Sequence, residues 1–174
     1  LDPVLASGRG DELCDEDMIA AMRELLLPQT TVLTPNSLEA RRLCQEEDED
    51  EPTDAPALDE CARRLLDYGC EYVLLTGTHE NTPKVVNDLY HMNGRLRRDT
   101  WERLPGSYHG SGCTLASSVA ACLAHGLSVD EAVRQAQEYT WQTLASAFRP
   151  GMGQFIPNRF FWARQEEDRD GETP

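Results

Sequence analysis

The stretch Tyr108-His109-Gly110-Ser111-Gly112-Cys113-Thr114-Leu115 places two glycines and a thiol at the start of a run of small residues with helical spacing. Gly110 and Gly112 allow a tight turn and a close approach of backbone to ligand. The unpaired N–H groups of a first helical turn, backed by the helix dipole, attract an anion such as a phosphate. A thiol on that turn can have its pKa drawn down from about 8.5 toward neutrality. Cys113 is therefore a candidate base or nucleophile, and Gly110, Ser111, Gly112 and Cys113 form a candidate anion hole. The same pattern also serves as an ordinary turn with a small packing cysteine. A second set combines carboxylates and polar groups: Asn36 and Glu39 three positions apart, Asp2 near the start of the sequence, and Thr76-Gly77 after an apolar run. Carboxylates suit a hard cation such as Mg²⁺, and the polar groups beside them suit the phosphates it accompanies. Asn36-x-x-Glu39 fits a capping box equally well, Asp2 a turn before Pro3, and Thr76-Gly77 a plain strand exit. His109 reads as a polar side chain without chemistry.

Bringing the two sets together takes strands and helices in alternation. Leu1 to Leu5 reads as a short strand leading into a loop at Ala6-Ser7-Gly8-Arg9-Gly10. Met18, Met22, Leu25 and Leu26 repeat at helical spacing behind a cap at Asp15 and stop at Pro28. Thr31 to Thr34 is a second strand broken by Pro35, and the Asn36 cap opens a helix through Leu38 and Leu43 to about Cys44. Leu58, Cys61, Ala62, Leu65 and Leu66 form the next helix, ended by Gly69, and Glu71 to Thr76 is a strand apolar on both faces. Three strands separated by helices predict right-handed crossovers and a parallel sheet, whose carboxyl rim gathers ligands. Lys84 to His91 and Leu96 to Leu104 predict a hairpin turning at Asn93-Gly94. After the glycine stretch, Leu115, Val119, Cys122 and Leu123 face inward on a helix that stops at Gly126. Ala132, Val133, Ala136, Thr140 and Leu144 do so on a helix from about Val129 to Ala147. Phe155 to Trp162 carries enough aromatic surface to dock on the body.

Composition limits what such a chain can do. With 16 basic and 31 acidic residues the net charge is −15, which repels nucleic acid and anionic membranes. Six consecutive acidic residues, Glu46 to Glu51, followed by Pro52 to Pro56, read as a solvated loop, and Gln165 to Pro174 as a frayed acidic tail. The six cysteines contain no CxxC pair and read as reduced thiols, and the four histidines have no zinc spacing. No apolar run approaches the roughly 18 residues of a membrane span, so a cytoplasmic location is expected.

Asp2-Pro3-Val4, Thr34-Pro35-Asn36 with Glu39, Thr76-Gly77-Thr78-His79 and His109-Gly110-Ser111-Gly112-Cys113-Thr114-Leu115 together resemble the hydroxymethylpyrimidine/phosphomethylpyrimidine kinases of thiamine biosynthesis, within the ribokinase-like superfamily. The resemblance runs from Leu1 to about Trp162. It implies a three-layer α-β-α fold with a mostly parallel sheet, of which this chain supplies the C-terminal, nucleotide-binding portion: one kinase domain over 1–162 and an acidic tail over 163–174. It implies ATP as co-substrate, Mg²⁺, and successive phosphorylation of 4-amino-5-hydroxymethyl-2-methylpyrimidine and its monophosphate, in a homodimer. By position, Cys113 would deprotonate the hydroxymethyl group while the N–H groups of Gly110 to Cys113 hold the transferring phosphoryl. Asn36 and Glu39 would act at the Mg²⁺–triphosphate, with Asp2 near the same charge and Thr76-Gly77 near the phosphates. Such kinases often carry Lys where this chain has Thr76, and their glycine-rich amino-terminal segment, with most pyrimidine contacts, has no counterpart here. The chain alone is accordingly expected to bind nucleotide weakly and phosphorylate no pyrimidine, with Leu1 to Leu5 at an open sheet edge. A pyridoxal-type kinase of the same fold, or a silent nucleotide-binding or dimerisation remnant, are the alternatives.

Overall fold

The computed structural model describes residues 1–6, 11–45 and 56–163. The expected loop at Ser7 to Gly10, the acidic run from Glu46 and the tail from Gln165 lie outside these residues. The chain divides into two compact units, Leu1–Arg103 and Leu104–Pro174.

In the first unit, helix α1 (Glu16–Ala21) starts at Asp15, whose side chain accepts the Met18 N–H, as its position before an acidic first turn predicts. The helix then widens into a π-turn over Met22–Leu26 and tightens over Leu27–Gln29, where Pro28 ends it. This change of pitch rotates the face inferred from a 3.6 period. Ile19 and Leu27 are fully buried and Met22 packs partly buried against the core, whereas Leu25 and Leu26, expected inside, are exposed, as is Met18 ahead of the change of pitch. Strand β1 (Val32–Leu33), helix α2 (Ser37–Cys44), helix α3 (Leu58–Asp67) and strand β2 (Tyr72–Thr76) follow in the predicted order. Gly69 takes a left-handed φ of 108° after α3. Strands β3 (Lys84–His91) and β4 (Gly94–Glu102) form the hairpin, with His91 opposite Gly94, so the two-residue turn is Met92-Asn93, one position before the expected Asn93-Gly94, and β4 starts at Gly94 rather than Leu96.

Among the described residues the α/β fold carries a mixed sheet in the order β1-β2-β3-β4, so the expected parallel character is present in part. Of the described strand pairs, β1–β2 is parallel and β2–β3 and β3–β4 are antiparallel, because short connections reverse the chain where a crossover helix would have preserved its direction. Leu33, Val73, Leu75 and Tyr90 on one face pack with Ile19, Leu27, Ala40, Leu43, Cys61 and Leu65 from the helices. Leu74 and Leu89, opposed across β2 and β3 on the other face, are buried as well.

Leu1 to Leu5 is not a strand. Leu1 alone pairs with β1, donating to the Val32 carbonyl at 2.8 Å and accepting the Thr34 N–H at 3.0 Å, on the side of β1 away from β2. Pro3 then has no N–H to continue a ladder, and Val4 turns the chain away with a φ of 45°, the one positive value at a non-glycine among the described residues.

In the second unit, helices α4 (Ser111–Ala124) and α5 (Val129–Ala145) pack as a hairpin around a left-handed Gly126. Leu115, Val119, Ala132, Val133, Ala136 and Thr140 are buried as predicted, together with Gln137 and Thr143, whereas Cys122, Leu123 and Leu144, also expected inside, are half-buried. Phe155 pairs with Tyr108, and Ile156 with Phe148. Among the described residues no helix is long and apolar enough to cross a membrane.

Candidate functional site

The carboxyl ends of β1 and β2 place the first set of candidates side by side. Thr76 bridges to Asn36 in parallel register, its N–H donating to the Pro35 carbonyl at 3.0 Å. Asn36 is the N-cap of α2: its Oδ1 accepts the Leu38 and Glu39 N–H groups, both at 3.0 Å, and Glu39 Oε2 accepts the Asn36 N–H at 2.9 Å. The capping box is therefore real, but it is not all that Glu39 does. Its Oε1 accepts the Leu5 N–H at 3.2 Å, which fastens the turn at Val4 and brings the segment carrying Asp2 to the same end of the sheet. Burial raises the Glu39 carboxyl above its ordinary value; the two backbone N–H groups oppose that, and the charge of Asp2 adds to it.

Gly77 occupies the next position for a steric reason. A Cβ there would collide with the Val86 carbonyl oxygen on the adjoining strand, and the Gly77 N–H already donates to the buried Asn87 Oδ1 at 3.1 Å. After it, the loop to β3 is held by Arg103, which donates to the carbonyls of Thr78, Glu80 and Thr82 at 2.7, 3.0 and 3.2 Å. The Glu80 carboxylate in turn accepts both Nη groups of Arg41 on α2, at 2.8 and 3.2 Å. Nothing in the local sequence marks Arg41 or Arg103, since both reach this loop only through tertiary pairing.

In the second unit, Gly110 is the N-cap of α4 with φ 85°, and no side chain caps this helix end. A φ of this kind strains any L side chain, so the turn rests on Gly110. Gly112, expected to share that duty, is not among the positive-φ glycines and lies within the first helical turn. Cys113 is exposed on the same turn. The approach to it is pinned at both sides: His109 N–H donates to the Phe155 carbonyl and Phe155 N–H to the Ser107 carbonyl, each at 2.9 Å. Arg159 donates from Nε to Thr114 Oγ1 at 3.1 Å, and its guanidinium lies within 3.2 Å of where a Cβ on Gly110 would be. Arg159 was hidden in a segment read only for its aromatic residues.

Thus Asp2, Asn36, Glu39, Thr76 and Gly77 gather in one unit, and Gly110, Ser111, Gly112 and Cys113 in the other. No group of three or more His, Cys, Asp or Glu side chains among the described residues would hold a metal ion unaided. The donor set at Glu39 and Asp2 fits a Mg²⁺ that keeps waters and shares its coordination with substrate phosphates, for which one or two carboxylates suffice.

A family model described as phosphomethylpyrimidine kinase matches residues 1–158. A hydroxymethylpyrimidine/phosphomethylpyrimidine kinase of Mycobacterium tuberculosis is 36% identical over 154 residues, covering 88% of this chain and 54% of its own length. Among solved structures, the ADP complex of Bacillus subtilis pyridoxal kinase superposes with a TM-score of 0.77 at 27% identity, over 94% of this chain and 59% of the other. The pyridoxal kinase of Staphylococcus aureus, in complex with AMP-PCP and pyridoxal, gives 0.77 at 26% identity, over 94% of this chain and 57% of its own. The chain thus spans between half and two thirds of the length of each of these proteins.

Proposed function

Because the chain belongs to the phosphomethylpyrimidine kinase family, we propose that it is the nucleotide-binding portion of a kinase acting on 4-amino-5-hydroxymethyl-2-methylpyrimidine and its monophosphate in thiamine biosynthesis. ATP is the phosphoryl donor, residues 1–162 serve one kinase domain, and the protein works as a cytoplasmic homodimer. The observation that carries the reading is the start of α4: a helix end without a side-chain cap, turned by Gly110, with Cys113 exposed on its first turn.

Phosphoryl transfer asks the protein for positioning and for charge placed where it develops. N–H groups from Gly110 to Cys113 would face the equatorial oxygens of the transferring group. Cys113 would take the hydroxyl proton as the substrate oxygen bonds to the γ-phosphorus and the bond to the ADP oxygen breaks. Bound Mg²⁺ would neutralise phosphate charge; Glu39 and Asp2 would hold it with the nucleotide, and Asn36, Thr76 and Gly77 would line the phosphates. In the second step the acceptor is already an anion and needs little base.

A pyridoxal-type activity is the second reading, favoured by the fold shared with the two pyridoxal kinases. The test is Cys113→Ala in a chain joined to the family's glycine-rich amino-terminal segment, assayed with the pyrimidine alcohol, its monophosphate and pyridoxal. The expected result is a loss of about 100-fold or more with the alcohol, the scale of a positioned base, and a smaller loss with the monophosphate. Equal small losses in both steps would reduce Cys113 to packing. Preferred turnover of pyridoxal would favour the second reading, and nucleotide binding without transfer to any acceptor would make the chain a silent remnant.

A further inference from the structure

The loop from Gly77 to Pro83 leaves the rim where Thr76 and Asn36 meet, and its backbone is organised by side chains from two other elements. Arg103, just beyond β4, gives Nη1, Nη2 and Nε to the carbonyls of Thr78, Glu80 and Thr82. Among the described residues it makes no ion pair, in a chain where acidic residues outnumber basic ones 31 to 16. Three carbonyls at alternate positions therefore face one guanidinium. In a trans peptide the N–H points opposite to the C=O, and the described residues contain no cis peptide bonds. The N–H groups of His79 and Asn81, which share peptides with the Thr78 and Glu80 carbonyls, are turned away from Arg103 and find no acceptor among the described residues. The Glu80–Arg41 pair ties the same loop to α2, which carries Asn36 and Glu39 at its start.

We propose that Arg103 is a positioning residue for the nucleotide: it collects the carbonyl oxygens of Thr78 and Glu80, with Thr82 as a further anchor, so that the loop presents the His79 and Asn81 N–H groups to the phosphates. This rests on the reading of the β1–β2 rim as the nucleotide site. The Glu80 and Thr82 N–H groups donate within the loop, to the Gly77 and Glu80 carbonyls, which leaves the alternate His79 and Asn81 N–H groups to meet an anion, whereas carbonyl oxygens facing a polyphosphate repel it. Arg103 acts through the loop and does not itself touch the ligand.

The experiment compares Arg103→Ala and Arg103→Lys with the wild type, each in a chain joined to the family's glycine-rich amino-terminal segment. It measures the Kd of the non-hydrolysable analogue AMP-PCP, the KM for ATP, and kcat and KM for the pyrimidine alcohol. Loss of charge-assisted bonds to the loop should weaken AMP-PCP and raise the ATP KM about tenfold in Arg103→Ala. The pyrimidine KM and kcat should stay within about threefold. Arg103→Lys should recover part of the affinity, because an ammonium reaches fewer carbonyls than a planar guanidinium. An AMP-PCP Kd within about twofold of wild type would overturn the proposal. So would parallel losses in ATP KM, pyrimidine KM and melting temperature, which signal a merely structural role. A wild type that binds AMP-PCP in an Arg103-dependent way but transfers nothing to the pyrimidine supports Arg103 and overturns the substrate reading.

Discussion

Glu39 accepts one N–H from its own helix cap and a second from Leu5, 34 positions away. The first bond was legible in the sequence, since Asn36-x-x-Glu39 is a local pattern; the second depends on a turn at Val4 that no local pattern announces. The two bonds give the residue a testable pH signature. Burial is the main reason its carboxyl lies above the ordinary 4.5. A carboxyl raised on folding binds more proton in the folded state between its unfolded and folded values, so stability falls as pH rises through that window and levels off above it. Glu39→Gln removes this titration. It also turns an NH₂ group toward one of the two N–H donors, a loss of about 1 kcal/mol. Urea unfolding of both proteins, stepped upward from about pH 4 to neutrality, should show the advantage of the wild type shrinking within the window and constant above it. A difference that stays the same at every pH would mean that Glu39 titrates as it does in the unfolded chain.

Most elements were legible because their signals are local: the Asp15 and Asn36 caps, the apolar run at Tyr72–Thr76, a hairpin turn within one position of Asn93-Gly94, and the start of α4 at Gly110. What escaped was set by contacts between elements. The π-turn at Met22–Leu26 changes which side chains point inward, and the direction of β3 follows from pairing with β2 rather than from its own residues. Gly77 combines the two cases. It reads as a strand exit or a phosphate contact in the sequence, yet in three dimensions it is the point where β3 passes too close for any side chain. Gly77→Ala should therefore cost about 3 kcal/mol or more, since backbone must move and the buried bond to Asn87 is disturbed. Thermal unfolding checks this; a loss below about 1 kcal/mol would show that β3 gives way easily.

The whole molecule carries a charge of −15, and many of its basic side chains are already paired: Arg42 with Glu12 and Glu16, Arg63 with Glu60 and Asp67, Arg98 with Asp88, Arg134 with Glu131 and Glu138. Exposed pairs of this type contribute little, so the excess acidic charge dominates the long-range field. Raising the salt from about 10 mM to about 150 mM shortens the Debye length from about 30 Å to about 8 Å and should raise the melting temperature, because self-repulsion is screened more than the close pairs are. A melting temperature that falls with salt would show that the pairs matter more than the net charge.

Val4 faces solvent on 39% of its surface while holding a left-handed backbone that β-branched residues avoid. Positions of this kind typically carry 1–3 kcal/mol of strain, roughly, that the surrounding contacts must hold in place. Here the restraint is the hydrogen bond from Leu5 to Glu39, so the turn behaves as a cocked spring with a carboxylate for its catch. Glycine at position 4 would slacken the spring without disturbing the catch. Val4→Gly should accordingly be tolerated or gain about 1 kcal/mol in stability, where the same change in an ordinary extended segment loses about that much.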